Sequence, residues 1–212
     1  MDTDRLIQAL AADSDTRAKP VSWVLALSLA LAAPISTAVF ATQFGPREDW
    51  RAAMRNPFFD LKFVVMIALA IAATVLVLRL ARPGAPIRRV SWLLGIPAGL
   101  IGIGVAADLM MPQQSAWSTR LIGSNSMICL AVIPLLSLPL LTAALIALRH
   151  GAPTRPALTG AVAGLMSAAL AAILYAAHCF DDSPLFVATW YSLAIGVVTA
   201  AGALIGARVL RF

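Results

Sequence analysis

Six long apolar runs constrain this chain more than any other feature. Each has the roughly 20 apolar residues that a helix needs to cross a hydrocarbon core of about 30 Å. None shows the alternation of apolar and polar residues that is typical of a membrane barrel strand. We therefore predict an all-α polytopic membrane protein with six transmembrane helices, at about Val21–Thr42, Leu61–Ala81, Val90–Met110, Asn125–Leu148, Ala157–Cys179 and Leu185–Ala207.

The composition agrees with this class. Only 12% of the 212 residues are charged and the mean hydropathy is +0.87, whereas a soluble domain carries about twice that charged fraction. Residues 21–212 are predicted to form one transmembrane domain, which leaves no room for a folded soluble domain. Residues 1–20 are predicted to be a retained leader, because the first apolar run is longer than the core of a signal peptide and four aspartates precede it.

The basic residues predict the orientation. An even number of spans places both termini on one side, and cytoplasmic termini put eleven basic residues inside and five outside. The inside set is Arg5, Arg17, Lys19, Arg79, Arg82, Arg88, Arg89, Arg149, Arg155, Arg208 and Arg211, and the outside set is Arg47, Arg51, Arg55, Lys62 and Arg120. We therefore expect both termini in the cytoplasm. The net charge of +6 is explained by topology, and because no basic stripe alternates with aromatic residues, no direct nucleic-acid binding is expected.

The ionisable residues argue against two functional classes. The chain has no nucleotide-binding loop, nucleophile elbow or HExxH helix, so no enzyme and no cofactor is expected. Lys62, Arg79 and Asp108 are predicted near the ends of spans, where long side chains can reach the interface. No acidic residue or arginine is predicted at a helix centre, where ion-coupled carriers need one. These observations argue against a small-solute transporter or channel, which is kept as the alternative interpretation.

The segment between the first two spans is predicted to form a short helix, 47–56. Trp50 and Met54 would lie one turn apart, with Arg47, Arg51 and Arg55 on a neighbouring stripe. This pattern predicts an interfacial helix at the outer leaflet.

Three GxxxG patterns occur in the spans: Gly95/Gly99, Gly160/Gly164 and Gly202/Gly206. Glycines four residues apart allow two helix backbones to approach closely. The pattern fits packing inside one bundle, and it also allows a homo-oligomer.

The two cysteines lie at similar predicted depths near the outside surface. Cys129 is about one turn into the fourth span and Cys179 ends the fifth. A disulfide, or a soft metal shared with the neighbouring His178, fits this placement. The alternative is that each cysteine is a small hydrophobic residue in a core. The spacing lacks a dense ligand cluster.

The leader contains one narrow apolar edge. Leu6, Ile7 and Leu10 would share a side of a short helix that Asp4 and Arg5 border. About ten residues do not hold a helix alone in water, but such a segment can fold against a groove on a partner. The other interpretation is a leader without structure of its own.

The whole chain resembles the NrsF-type family of six-helix membrane anti-sigma factors. The resemblance rests on "DTDRLIQALAADS", "LKF", "RLARPG", "CLAVIPLLSLPLL", "LRHGAPTRPALTGAVAGL" and, most specifically, "HCFDDSPLFVATWY". It implies a protein of the bacterial inner membrane whose leader holds a sigma factor of the extracytoplasmic-function class, with Asp4, Arg5, Leu6, Ile7 and Leu10 as contacts. It also implies that Cys129, Cys179 and His178 sense an envelope signal such as an oxidant or heavy metal.

Overall fold

Six long helices account for most of the molecule. The structure is a computed structural model that describes residues 3, 20–110 and 117–211. The helices are α1 Val21–Gln43, α2 Pro57–Leu80, α3 Gly95–Leu109, α4 Ser126–Leu148, α5 Pro156–Ala176 and α6 Ser192–Val209. All six helical regions are long and apolar enough to span a membrane, and the described residues form no strand. The predicted all-α class and six spans are confirmed, while the cytoplasmic position of the termini stays a prediction.

Short helical turns extend the long helices at several ends. A 3₁₀ turn, Trp92–Leu94, leads into α3, and a π turn, Val187–Tyr191, leads into α6. α2 begins four residues earlier than predicted because the Asn56 side chain accepts the N–H of Phe58 and Pro57 occupies the first helical position.

Helix α5 forms the centre of the bundle. It packs against α2, α4 and α6, while α1 lies on α4 and α3 lies on α2. Its buried face consists mainly of alanine and glycine, with Met166 and Tyr175 as the large members. Small side chains allow the helices around it to approach closely, which is how helices associate in a membrane.

Two of the GxxxG motifs pack against each other inside the chain. A Cβ atom at Gly160 would lie 2.2 Å from the Gly202 carbonyl oxygen, and one at Gly206 would lie 2.6 Å from the Gly160 Cα. These glycines therefore form the α5–α6 contact of a single bundle. On α3, a Cβ atom at Gly95 or Gly99 would have no neighbour within 4 Å.

Candidate functional site

A cluster of paired charges lies at one end of the bundle. This end, which we call the ion-paired end, is where α1, α3 and α5 finish and α2, α4 and α6 begin. Asp182 receives the Lys62 ammonium at 2.6 Å and the Arg47 guanidinium at 3.0 Å. Arg47 also pairs with Asp49 at 2.6 Å. Two cations thus meet two carboxylates, which neutralises charges that would otherwise be costly to bury.

The burial of Lys62 corrects the sequence expectation. Lys62 was expected to extend toward the interface, but it is only 1% exposed. Its ammonium donates to the Asp182 carboxylate and, at 2.8 Å, to the Cys179 carbonyl. These acceptors replace the water that the side chain would have reached, so the charge stays inside the protein.

The predicted helix 47–56 is also corrected. The helix covers only Trp50–Ala53, and Arg47 before it is buried whereas Arg51 is exposed. Trp50 packs edge-on against Phe59, 5.2 Å away between ring centroids. The segment is therefore held against the bundle by Arg47 and Trp50, and the three arginines do not share one exposed stripe.

Arg47 and Lys62 together fix the chain around Cys179. The Cys179 carbonyl accepts from both, at 3.3 Å from Arg47 and 2.8 Å from Lys62. The Arg47 guanidinium also lies 4.7 Å from the centre of the Phe180 ring. The hydrogen bond to Asp49 and the charge of Asp182 raise the pKa of Arg47, against the opposing effect of burial, and Arg47 in turn lowers the pKa of the Asp49 carboxyl. The chain around Cys179 is therefore held in place by side chains that remain charged.

Asp181 joins the same segment to the start of α4. Its carboxylate accepts the backbone N–H groups of Ser124 and Asn125, at 3.1 and 2.8 Å, and the side-chain amide of Asn125 at 3.1 Å. A carboxylate is favoured at this position because the first N–H groups of a helix carry partial positive charge. The contact fixes the chain before Cys129 relative to the chain after Cys179.

Asp108 forms a second buried ion pair at this end. It was expected near a span end with access to the interface, but it is 0% exposed. Its carboxylate accepts the Ser183 hydroxyl at 2.7 Å and contacts the Arg120 guanidinium. These contacts link the end of α3 to the short helix Trp117–Ile122, which precedes Cys129, and to Ser183, which follows Cys179.

Cys129 and Cys179 both lie within this end of the core. Each is 0% exposed, each is a free thiol, and they are close enough to interact electrostatically. The rings of Tyr175 and Tyr191, 5.9 Å apart, pack beside them. Neither hydroxyl makes a hydrogen bond of ordinary geometry, although both lie in reach of the Cys179 thiol. The two predicted cysteines and these two tyrosines thus lie together in the packed core, and we call these four side chains the thiol cluster.

Burial favours the protonated form of the Cys179 thiol. Burial raises its pKa, and the nearby charge of Lys62 only partly opposes this effect. Its S–H group lies 3.8 Å from the Asp181 carbonyl, which it faces as a donor. Because the thiolate is the reactive form, the thiol reacts slowly while it remains enclosed.

His178 is engaged elsewhere. Its Nδ1 lies 3.0 Å from the Gly45 carbonyl, and its ring packs edge-on against Phe44 at 5.4 Å. Across residues 20–110 and 117–211, no group of three or more His, Cys, Asp and Glu side chains is arranged to hold a metal ion. The predicted leader contacts Asp4, Arg5, Leu6, Ile7 and Leu10 lie outside the described residues.

Comparison with known proteins gives a consistent result. The sequence profile of a family described as NrsF, "Negative regulator of sigma F", matches residues 10–212. The chain is 32% identical over 213 residues to the "Probable anti-sigma-F factor NrsF" of Azospira oryzae, and both chains are covered completely. It is 34% identical over 215 residues to the "Anti-sigma-F factor NrsF" of Caulobacter vibrioides, again with complete coverage of both chains. No solved structure matches it.

Proposed function

The chain belongs to the NrsF family, and we propose that it is a membrane-bound anti-sigma factor that holds an extracytoplasmic-function sigma factor at the bacterial inner membrane. The full-length similarity to two proteins named as anti-sigma-F factors carries this proposal. The family is regulatory, so no catalytic site is required. While the sigma factor is held at the membrane, it does not reach RNA polymerase.

Residues 1–20 are the segment that binds the sigma factor. They precede α1, and at that end of the bundle the described loops are short and tied together, with the Ala152 N–H donating to the Ala81 carbonyl at 3.2 Å. These loops offer little surface for a protein partner. The leader offers the apolar edge of Leu6, Ile7 and Leu10, with Asp4 and Arg5 for polar contacts.

The ion-paired end perceives the signal on the outer side. An oxidant removes two electrons from Cys129 and Cys179, the two thiol protons leave, and a disulfide joins α4 to the segment after α5. The ion pairs of Asp182 with Arg47 and Lys62 determine how readily the thiol cluster becomes exposed to the oxidant. Once formed, the bond changes the packing of α4 on α5 and weakens the leader's hold on the sigma factor. A tenfold weakening corresponds to about 1.4 kcal/mol, which is within the usual range of coupling between two sites.

A reporter driven by the sigma factor tests this function in cells. Deleting the gene for this chain is expected to raise reporter activity without any signal, and restoring the intact gene lowers it again. Oxidant is expected to raise activity in cells with the intact chain and to have no effect in a Cys129→Ser, Cys179→Ser strain. A normal oxidant response in that strain would show that the thiols only pack. Unchanged reporter activity after the deletion would contradict the anti-sigma role.

A further inference from the structure

A small polar cavity lies at the opposite end of the bundle, which we call the arginine end. It has a volume of about 170 Å³ and is enclosed by the loops that join α2 to α3 and α4 to α5. Arg79, Arg82, Thr154 and Arg155 supply its polar lining. Pockets for drug-sized molecules measure about 300–1,000 Å³, so this cavity suits a small charged group.

The walls of the cavity are fixed by the backbone. The Ala152 N–H donates to the Ala81 carbonyl across the two loops, at 3.2 Å. The loops approach so closely here that a Cβ atom at Gly151 would lie 2.9 Å from the same oxygen. Gly84 turns the first loop with a φ of 71°, a conformation that glycine adopts without strain. Arg79 lies in the last turn of α2, and Arg82 and Arg155 lie on the two loops, whose relative position is set before any ligand binds.

The arginines of the cavity have no acidic partner among the described residues. All the ion pairs within residues 20–110 and 117–211 are at the ion-paired end. The acidic residues of these two ranges lie at that end as well: Glu48, Asp49, Asp60, Asp108, Asp181 and Asp182. Helix α5 begins at the edge of the cavity with Pro156 and has no acidic residue in its first turn. Its N-terminal partial charge adds to the positive field of Arg79, Arg82 and Arg155.

Two tryptophans indicate the depth of the cavity. Trp23, near the start of α1, and Trp92, just before α3, lie at the same end and are 51% and 64% exposed. Tryptophan is enriched where a membrane meets water, at the level of the lipid headgroups. Their position predicts that this end of the bundle lies at the level of the lipid phosphates.

We propose that this cavity binds the phosphate group of an anionic phospholipid. Arginine donates paired N–H groups in a planar fork that matches two oxygens of a phosphate, and three such side chains surround one small space. The Thr154 hydroxyl supplies a further donor. The lipid neutralises the unpaired arginines and joins the two loops at the end of the bundle from which residues 1–20 extend. This site stands independently of the proposed anti-sigma role.

The test uses the purified full-length protein in a neutral detergent, where no charged bilayer surface contributes. Native mass spectrometry measures binding of phosphatidylglycerol, with phosphatidylcholine as the zwitterionic comparison and inorganic phosphate as a soluble competitor. An Arg82→Gln, Arg155→Gln variant is expected to bind phosphatidylglycerol about 100-fold more weakly, about tenfold for each arginine, because each loses a charge-assisted hydrogen bond to the phosphate. The matched control is Arg149→Gln, Arg208→Gln, which removes two exposed arginines of the same end that do not line the cavity.

The outcomes separate the alternatives. Loss in the cavity variant alone, with little competition from inorganic phosphate, supports the lipid site. Displacement of the lipid by inorganic phosphate at millimolar concentration would overturn the lipid assignment in favour of a soluble phosphate. Equal loss in both variants, or no loss in either, would overturn the cavity as a site and leave only general surface charge. Unchanged melting temperatures in both variants ensure that the comparison reports binding.

Discussion

Replacing Lys62 with methionine is expected to destabilise the ion-paired end. Methionine keeps the apolar stem of this buried side chain but removes the donor to Asp182 at 2.6 Å and to the Cys179 carbonyl at 2.8 Å. Removing one partner of a buried ion pair costs about 3–5 kcal/mol. Asp182 keeps Arg47 at 3.0 Å and its side chain is 12% exposed, so the loss is expected nearer to about 2 kcal/mol. For a chain of this length that corresponds to a melting temperature lower by about 4–8 °C.

The matched control is Arg51→Met, which removes an exposed cation from the neighbouring segment. Surface changes of this kind stay within about 0.5 kcal/mol, so its melting temperature is expected to shift by about 2 °C at most. A Lys62→Met, Asp182→Asn variant is expected to recover part of the lost stability. The second substitution removes the negative charge of Asp182, which Lys62 no longer balances in the single variant.

Two assays on purified protein in detergent check this prediction. Thermal unfolding followed by intrinsic tryptophan fluorescence gives the melting temperature. Alkylation of the thiols by a small neutral reagent is expected to be faster in Lys62→Met than in the control, since the network holds the chain around Cys179. Loss of the Lys62 charge also raises the pKa of Cys179, so the two proteins are compared at a pH high enough to offset the smaller thiolate fraction. Melting temperatures and alkylation rates that match those of Arg51→Met would refute the view that these ion pairs keep the thiol cluster buried.

Three further predictions follow from the packing and the charges. Gly160→Ala is expected to lower the melting temperature by the equivalent of about 1–3 kcal/mol because its Cβ would collide with the α6 backbone, and Gly99→Ala, with open space around it, is expected to cause no loss. In a Cys129→Ser variant, the alkylation rate of Cys179 is expected to keep rising with pH above about 8.5, the pKa near which the rate of an ordinary thiol levels off. The reason is that burial raises the pKa of Cys179. A rate that levels off at about pH 8.5 would contradict the burial of this thiol. Asp108→Asn is expected to destabilise the fold and Asp60→Asn to leave it unchanged, as thermal unfolding can show, because only the first carboxylate is buried in an ion pair.

Much of the fold could be predicted because it depends on local composition. Span length and hydropathy determine six helices without any knowledge of their partners, and the first predicted span, 21–42, differs from α1 by one residue. The early start of α2 has a local cause in the sequence: Asn56 caps the helix and Pro57 occupies its first position. Helix α3 begins after the expected Val90 because a 3₁₀ turn precedes it.

The site was harder to predict because its charges are paired across long distances in the chain. Similar predicted depth placed Cys129 and Cys179 near the same end of the bundle, since depth follows from position in a span, and both are buried in the core of the structure. The environment of Lys62 depends on Asp182, 120 residues away, and no periodicity reports such a contact. A simple charge argument was available: two carboxylates directly after a span require nearby cations, and Arg47 and Lys62 lie on the same predicted side.

Binding of the sigma factor by the leader tests the proposed function most directly. The full-length protein in detergent is titrated with purified extracytoplasmic-function sigma factors of the same organism, and the dissociation constant of the one that binds is compared with that of a Leu6→Asp, Leu10→Asp variant. A Gln8→Asp, Ala12→Asp variant adds the same charge on the opposite side of the predicted leader helix. We expect the first variant to lose binding and the second to retain it. Binding that survives Leu6→Asp, Leu10→Asp would contradict the proposal that this apolar edge holds the sigma factor.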